Sequence, residues 1–372
     1  MSTGEAAPRF APRPVDVSAI ERELAALWRE AAAGREGAPA MLRACMSNLV
    51  VFCADPEEAR AAEEDLAAVA ERHPSRAILL VAQGGPRDDA LDASVSAVCH
   101  LTGPGRAICS EHVMVSAGRG ALQALPSAVR SLLIGDLPTS LWWAAREPPL
   151  AGGALFGELA SLADQVIYDS AGWQDPAAGV VETASWAEEA AEAALSDLAW
   201  RRLKPWRRAL GQALDPARLP GALAGLAELE LEHGPHGLPE AWLLVGWLAG
   251  RLGWRPERAR LSPGSSVTWH FDGPAGPVEV TARRLAEGAP DLRALELRWR
   301  GGARPGQARF EAPTPDGISV SFDRGPTPEL VLPVPPAPRA ELLARQLPKL
   351  GRDLLFRDAL ALARRLAEAL LP

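Results

Sequence analysis

The 372-residue chain predicts an α/β N-terminal domain, mostly parallel sheet with an inserted antiparallel hairpin, followed by an α+β C-terminal domain of helices and an antiparallel meander. Three observations carry that expectation. Two continuous apolar runs, Asn48-Leu49-Val50-Val51-Phe52 and Ala77-Ile78-Leu79-Leu80-Val81, flank a helical stretch, as strands buried on both faces do in a parallel sheet. From Leu91 to Leu101 apolar and polar residues alternate with a period of two, the mark of a half-buried antiparallel strand. Beyond Leu252, Gly and Pro punctuate short alternating stretches at hairpin spacing.

In chain order, residues 1–15 are Pro-rich and read as a flexible start. Val17, Ile20, Leu24, Leu27 and Trp28 recur at helical spacing. After the first apolar run, Asp55 can cap a helix, Pro56 can take its first position, and Glu57 and Glu58 meet its positive end. A second alternating strand, 108–117, pairs with 91–101, so that Cys99 lies opposite Cys109 if the hairpin centres on Pro104. A helix over 121–133, a strand carrying Leu141-Trp142-Trp143, a helix over 155–162 and a strand 165–169 complete a first domain spanning 16–175. The junction is expected across Gly172 to Val181. The second domain, 182–372, is expected to hold helices over 184–200 and 206–214, a strand 226–232, and an apolar helix 239–252. Six short strands follow between 267 and 332, and then one long C-terminal helix from Arg339 to Leu371, broken at Pro348.

Charge and composition narrow the function. Lys+Arg at 39 against Asp+Glu at 47 gives a net charge of −8, which argues against nucleic acid or an anionic membrane as partner. No apolar stretch approaches the ~20 residues of a membrane span. Four Cys and a start without an apolar core for export indicate a cytoplasmic protein. Twelve Trp accompany one Tyr, and Trp is a residue of cores and of interface anchors alike.

Catalytic constellations are absent. Gln83-Gly84-Gly85-Pro86 follows one strand but leads to another, Gly118-Arg119-Gly120 lacks dinucleotide-binding spacing, and Gly264-Ser265-Ser266 lacks the closing glycine of a nucleophile elbow. Under strict alternation Cys99 and Cys109 point to one side and His100 and His112 to the other, so no metal site is expected. The two thiols form a candidate redox pair, with buried free thiols as the plain alternative. Glu111 shares its face with Cys109, Val113, Val115 and Ala117, where a carboxylate needs a partner such as Arg76 or Arg106. It reads equally as a structural ion pair or a functional acid. Asp136 precedes Trp142 and Trp143, which must face opposite sides of the sheet, one as core and the other under a helix or at an interface.

These segments spell a pattern: His73-Pro74-Ser75-Arg76, Cys99-His100, Cys109-Ser110-Glu111, Asp136-Leu137-Pro138 with Leu141-Trp142-Trp143, and Leu162-Ala163-Asp164 leading to Asp169-Ser170. With Asp197 to Leu203, Pro205-Trp206-Arg207 and Gly246-Trp247-Leu248-Ala249, it resembles the glucose-6-phosphate dehydrogenase assembly protein family, OpcA, over roughly 44–254. The resemblance implies a non-catalytic, cofactor-free assembly factor and allosteric activator of glucose-6-phosphate dehydrogenase, serving the oxidative pentose phosphate pathway. Trp200, Arg201, Arg202, Trp206 and Arg207 are then the expected partner contact, since Trp and Arg dominate interface anchors. A core Trp pair with solvated Arg is the alternative. The competing class is a sugar-phosphate or nucleotide effector-binding protein or enzyme, with Arg76, Glu111, Asp136 and Asp164 around a site at the strand ends of the N-terminal domain.

Overall fold

The computed structural model describes residues 9–33, 40–83, 89–103, 106–190, 193–262, 266–300, 305–314, 317–323, 330–334 and 337–371. Residues 1–8, Gly84, Gly85, Pro104 and Gly264, on which sequence expectations fell, lie outside them. The elements begin with β1 (Arg9–Val15), α1 (Ile20–Ala33), β2 (Ala40–Arg43), β3 (Asn48–Cys53), α2 (Pro56–Ala70), β4 (Arg76–Gln83), β5 (Leu91–Gly103) and β6 (Arg106–Gly118). Next come α3 (Leu125–Leu132), β7 (Thr139–Trp143), α4 (Gly153–Ala160), β8 (Gln165–Tyr168), α5 (Pro176–Glu189), β9 (Ala194–Asp197), α6 (Leu198–Arg202) and α7 (Lys204–Ala213). The chain continues through β10 (Leu226–His233), α8 (Leu238–Leu252), β11 (Arg255–Ser262), β12 (Ser266–Gly273), β13 (Gly276–Arg284) and β14 (Leu292–Trp299). It closes with β15 (Gly306–Thr314), β16 (Gly317–Phe322), β17 (Leu330–Pro333), α9 (Arg339–Gln346) and α10 (Leu354–Glu368).

Two compact units result. The first comprises Met1–Tyr168, Glu192–Ser196 and Pro338–Gly351, the second Asp169–Ala191, Asp197–Ala337 and Arg352–Pro372.

The first unit is built on a nine-stranded sheet in the order β1-β5-β6-β4-β3-β7-β8-β9, with β2 attached to β6. From β6 through β8 neighbouring strands are parallel. The run β6-β4-β3-β7-β8-β9 is the strand order of a doubly wound dinucleotide-binding fold, whose topological switch point falls between β3 and β7. Every residue of β3 and β7 is buried, which explains their unbroken apolar runs. In α2, Asp55 caps through its side chain and Pro56 opens the first turn, while Ala59, Ala62, Leu66 and Val69 bury one face. Burial of a side chain such as Leu66 stabilises by about 1.5–3 kcal/mol.

β5 and β6 form the expected hairpin, with Cys99 directly opposite Cys109. β1 pairs antiparallel with β5, although it lies within the stretch expected to be flexible. Its Pro12 and Pro14 disguise a strand that stands at the sheet edge, where missing N–H donors are tolerated.

The second unit holds an eight-stranded sheet in the order β11-β12-β13-β10-β14-β15-β16-β17. It departs from a pure meander because β10 runs parallel to β13, entering between β13 and β14 ahead of the α8 crossover. Leu229, Leu231, Val280, Ala282, Leu295 and Leu297 are buried on one face, while Glu228, Glu230, Glu279 and Arg298 alternate on the other. Gly246 of α8 is required by packing, since a Cβ there would stand 2.4 Å from the Ala359 carbonyl oxygen of α10.

Two segments differ from expectation and a third agrees with it. The 184–200 helix is α5, then β9, then α6, because Asp197 accepts the Ala199 N–H and restarts the chain as a new helix. The junction at 172–181 contains the start of α5, where Asp175 and Pro176 repeat the cap-and-proline signature of Asp55 and Pro56. The C-terminal helix is interrupted around Pro348, as the sequence led one to expect, which leaves α9 and α10, the second capped afresh by Asp353.

Candidate functional site

Glu111 is the most heavily engaged acid of the first unit. It is fully buried, and its Oε2 accepts from Arg76 Nε at 2.7 Å. Oε1 accepts from Trp28 Nε1 at 2.6 Å and faces Arg43 Nε at 2.7 Å. Arg76 in turn reaches Glu21 and the Leu132 carbonyl. Burial alone would lower the Arg76 pKa, but Glu111 and Glu21 more than offset it and hold the guanidinium above its ordinary range. The node joins α1, β2, β4 and β6, and both of its central groups are spent on each other and on neighbouring elements.

Two further motif residues, Asp136 and Asp164, stand ahead of the amino ends of strands. Asp136 is exposed in the turn before β7. Asp164 precedes β8 and accepts the Thr139 N–H at 2.8 Å, fixing the start of β7. Asn48, which sequence patterning did not single out, is fully buried and ties the start of β3 to Ile134, Leu137 and Thr139. Its signal was only a polar residue at the head of an apolar run. Trp142 and Trp143 are both core residues, 1% and 3% exposed. Trp143 stacks on Phe52 with ring centroids 4.2 Å apart, and Arg339 lies over Trp142 at 5.4 Å. Arg76, Glu111, Asp136 and Asp164 therefore gather at the end of the parallel strands opposite to the crevice where this fold class binds ligands.

The crevice end is organised differently. Asp55 accepts the Glu57 and Glu58 N–H groups at 2.7 and 2.8 Å, using the free donors at the N-terminus of α2. The Glu58 side chain, 7% exposed, takes the Ala54 N–H at 2.7 Å with Oε2 and the Arg146 N–H at 2.8 Å with Oε1. One carboxylate thus spans the switch point, from the chain leaving β3 to the chain leaving β7. An Asp-x-x-Glu helix start was legible in sequence as a cap, but its reach to Arg146 was not.

The Trp/Arg segment folds inward. Trp200 and Trp206 are 1% and 6% exposed, so both side chains are buried in the second unit. Arg207 lies 3.4 Å over the Trp200 ring, and burial lowers its pKa to about 10. Trp200 Nε1 donates to Asp353 at 3.0 Å, with Arg201 3.7 Å from the same carboxylate. Arg202 forms a two-pronged pair with Asp169 at 2.7 and 2.5 Å.

Cys99 and Cys109 are joined as a disulfide, packed among Ala107, Phe10, Trp28 and Met41. His112 is held neutral, its pKa lowered to about 4 by burial. Among the described residues no three His, Cys, Asp or Glu side chains stand together as a metal-binding group, and no helix is long and apolar enough to cross a membrane. A groove of about 270 Å³ lies between α5 and α10 of the second unit, lined by Ala184, Ala187, Leu354, Arg357 and Leu360, and involves none of the motif residues.

Comparison with known proteins follows the same outline. A family model described as the glucose-6-phosphate dehydrogenase subunit N-terminal domain matches residues 66–185, and its C-terminal counterpart matches 193–360. A relative from Nostoc punctiforme, whose name carries OpcA and the OxPP cycle, is 34% identical over 192 residues, 50% of this chain and 40% of that protein. A namesake from Synechococcus elongatus is 28% identical over 296 residues, 74% of this chain and 64% of its own. The chain covers less than two thirds of either relative. Among solved structures, an oxidoreductase from Sinorhizobium meliloti has a TM-score of 0.52 at 12% identity, covering 87% of this chain and 96% of that one. A super-repressor mutant of Gal80p from Saccharomyces cerevisiae has a TM-score of 0.51 at 10% identity, covering 88% and 95%. At such identities the likeness speaks for the fold alone.

Proposed function

The chain belongs to the OpcA family of glucose-6-phosphate dehydrogenase subunits, and on that premise we propose that it is a non-catalytic assembly factor and allosteric activator of glucose-6-phosphate dehydrogenase. It would act in the cytoplasm and support the oxidative pentose phosphate pathway. The observation that carries the non-catalytic part is Glu58. In a doubly wound fold the phosphates of a dinucleotide meet the N-terminus of the first crossover helix. Here Asp55 and Glu58 take the backbone donors at that place, and two carboxylates repel a further anion. The competing reading, a sugar-phosphate or nucleotide site built from Arg76, Glu111, Asp136 and Asp164, loses support because those groups stand at the amino ends of the strands.

Activation by binding requires the protein to hold the competent oligomer of the dehydrogenase more tightly than its other states. A shift from mostly inactive to mostly active enzyme needs about 5.5 kcal/mol of such difference. The test is co-purification with the dehydrogenase of the same organism, together with its rate and oligomeric state as this protein is titrated to micromolar concentration. Binding with a raised rate and a larger oligomer supports the reading; no binding and an unchanged rate overturn it.

A further inference from the structure

The second unit encloses more acid than base at one place. Asp169 and Asp197 are the residues at which the chain enters that unit after β8 and within β9. Arg202 of α6 pairs with Asp169 through both of its terminal nitrogens, so its charge is committed. Asp197, 1% exposed, accepts among the described residues only from neutral donors: the Ser170 hydroxyl at 2.6 Å, the Ser170 N–H at 3.1 Å and the Ala199 N–H at 2.8 Å. Glu240 of α8, 2% exposed, has one hydrogen bond among the described residues, from the Leu292 N–H at 3.0 Å to Oε2. Its Oε1 is sealed from solvent and has no hydrogen-bond partner among the described residues. The charges bearing on Glu240 are Arg202 from α6, Asp291 from the turn into β14, and Asp169 from the end of β8; those bearing on Asp197 are Asp169 and Arg202.

We propose that Asp169, Asp197, Arg202 and Glu240 form a proton-binding site in which Glu240 is a neutral carboxylic acid in the folded protein at neutral pH, so that the fold of the second unit is linked to pH. One guanidinium bonded through both terminal nitrogens to Asp169 acts on the two other buried carboxyls only from a distance, and ionising both in a sealed site is costly. Glu240 has the fewest donors and therefore takes the proton from solvent as the unit folds. Burial first, with Asp291 and Asp169 adding to it against Arg202, pushes its pKa from 4.5 to about 8; burial and then Asp169 push Asp197 from 3.8 to about 7. The sign follows. Both carboxyls are raised on folding, so the stability they allow is fully present below their unfolded values and is lost as pH climbs through the folded ones.

The experiment is urea unfolding of the full chain from pH 5.5 to 7.5, compared with Glu240→Gln. Each proton held only by the folded state makes the unfolding equilibrium constant rise about tenfold per pH unit. The variant should lose one such factor of about ten per unit and outlast the parent at the alkaline end. An unchanged slope overturns the proposal. Infrared spectroscopy of the parent protein gives an answer that does not depend on the variant folding: a carboxylic-acid C=O band at pH 7 that disappears on unfolding supports the site, and its absence sinks it. If the variant folds and keeps that band undiminished, the proton belongs to another group and the assignment to Glu240 fails.

Discussion

Arg76 and Glu111 stand opposite one another across β4 and β6, with the guanidinium Nε 2.7 Å from the Oε2 of a carboxylate that has no exposure at all. A charge so placed is tolerable only while its partner is present. Glu111→Ala leaves Arg76, itself 3% exposed, without its inner counter-charge and should destabilise the first unit by about 3–5 kcal/mol. Glu21, whose side chain is 57% exposed, is the outer partner of the same Arg76, and Glu21→Gln should cost no more than about 1 kcal/mol. Urea denaturation separates the two; equal losses would mean that the buried pair is not the centre of the node.

That pair was legible because strand alternation forces Glu111 onto the face of Cys109 and Val113, and an acid there needs a cation nearby. The β3-α2-β4 unit was legible for a similar reason, since Asp55, Pro56 and two apolar runs agree at every level. Asp175 and Pro176 carry the same cap signature, but in a Gly- and Ala-rich stretch with a weak apolar stripe they read as a linker. Which end of the strands each acid occupies depends on strand direction and order, which no local pattern encodes. The reach of Glu58 to Arg146, 88 residues away, is likewise a product of the β3–β7 neighbourhood and not of any motif.

Glu58 and Asp55 at the switch point make a prediction about nucleotides. Titrating NADH or NADPH to millimolar concentration should produce no saturable quenching of the Trp fluorescence. Glu58→Ala should destabilise the protein by about 1–3 kcal/mol for each N–H left unbonded, those of Ala54 and Arg146, without creating dinucleotide affinity, because Asp55 still holds the helix N-terminus. Saturable binding by the parent protein would contradict the non-catalytic reading.

The cysteines should separate by reactivity. Cys45 is partly exposed, whereas Cys53 is fully buried and its pKa is pushed up to about 12, first by burial and then by Glu58. Burial, then Glu111, also raises Cys45, so its thiol is a sluggish nucleophile but a reachable one. A thiol reagent added to native, unreduced protein should titrate one thiol, and a second only after unfolding. Cys45→Ser should abolish the native-state reaction; survival of that reaction would place the reachable thiol elsewhere.

Trp206 and Arg207 decide what the Trp/Arg segment does. Trp206 is 6% exposed, and Arg207 spends its guanidinium on the Trp200 ring and on the Trp200 carbonyl at 3.0 Å, so both side chains point into their own unit. Trp206→Ala opens a cavity and should cost about 3–5 kcal/mol. Arg207→Ala gives up a partly desolvated cation–π contact and should cost about 1–2 kcal/mol. Affinity for glucose-6-phosphate dehydrogenase, measured per folded molecule below each variant's unfolding transition, should then change by less than about threefold, since a core residue alters how much protein is folded and not the surface that it presents. Loss of binding by Trp206→Ala at undiminished stability would reverse this and return the segment to the interface, because only a residue with no packing role can be removed without moving the denaturation midpoint.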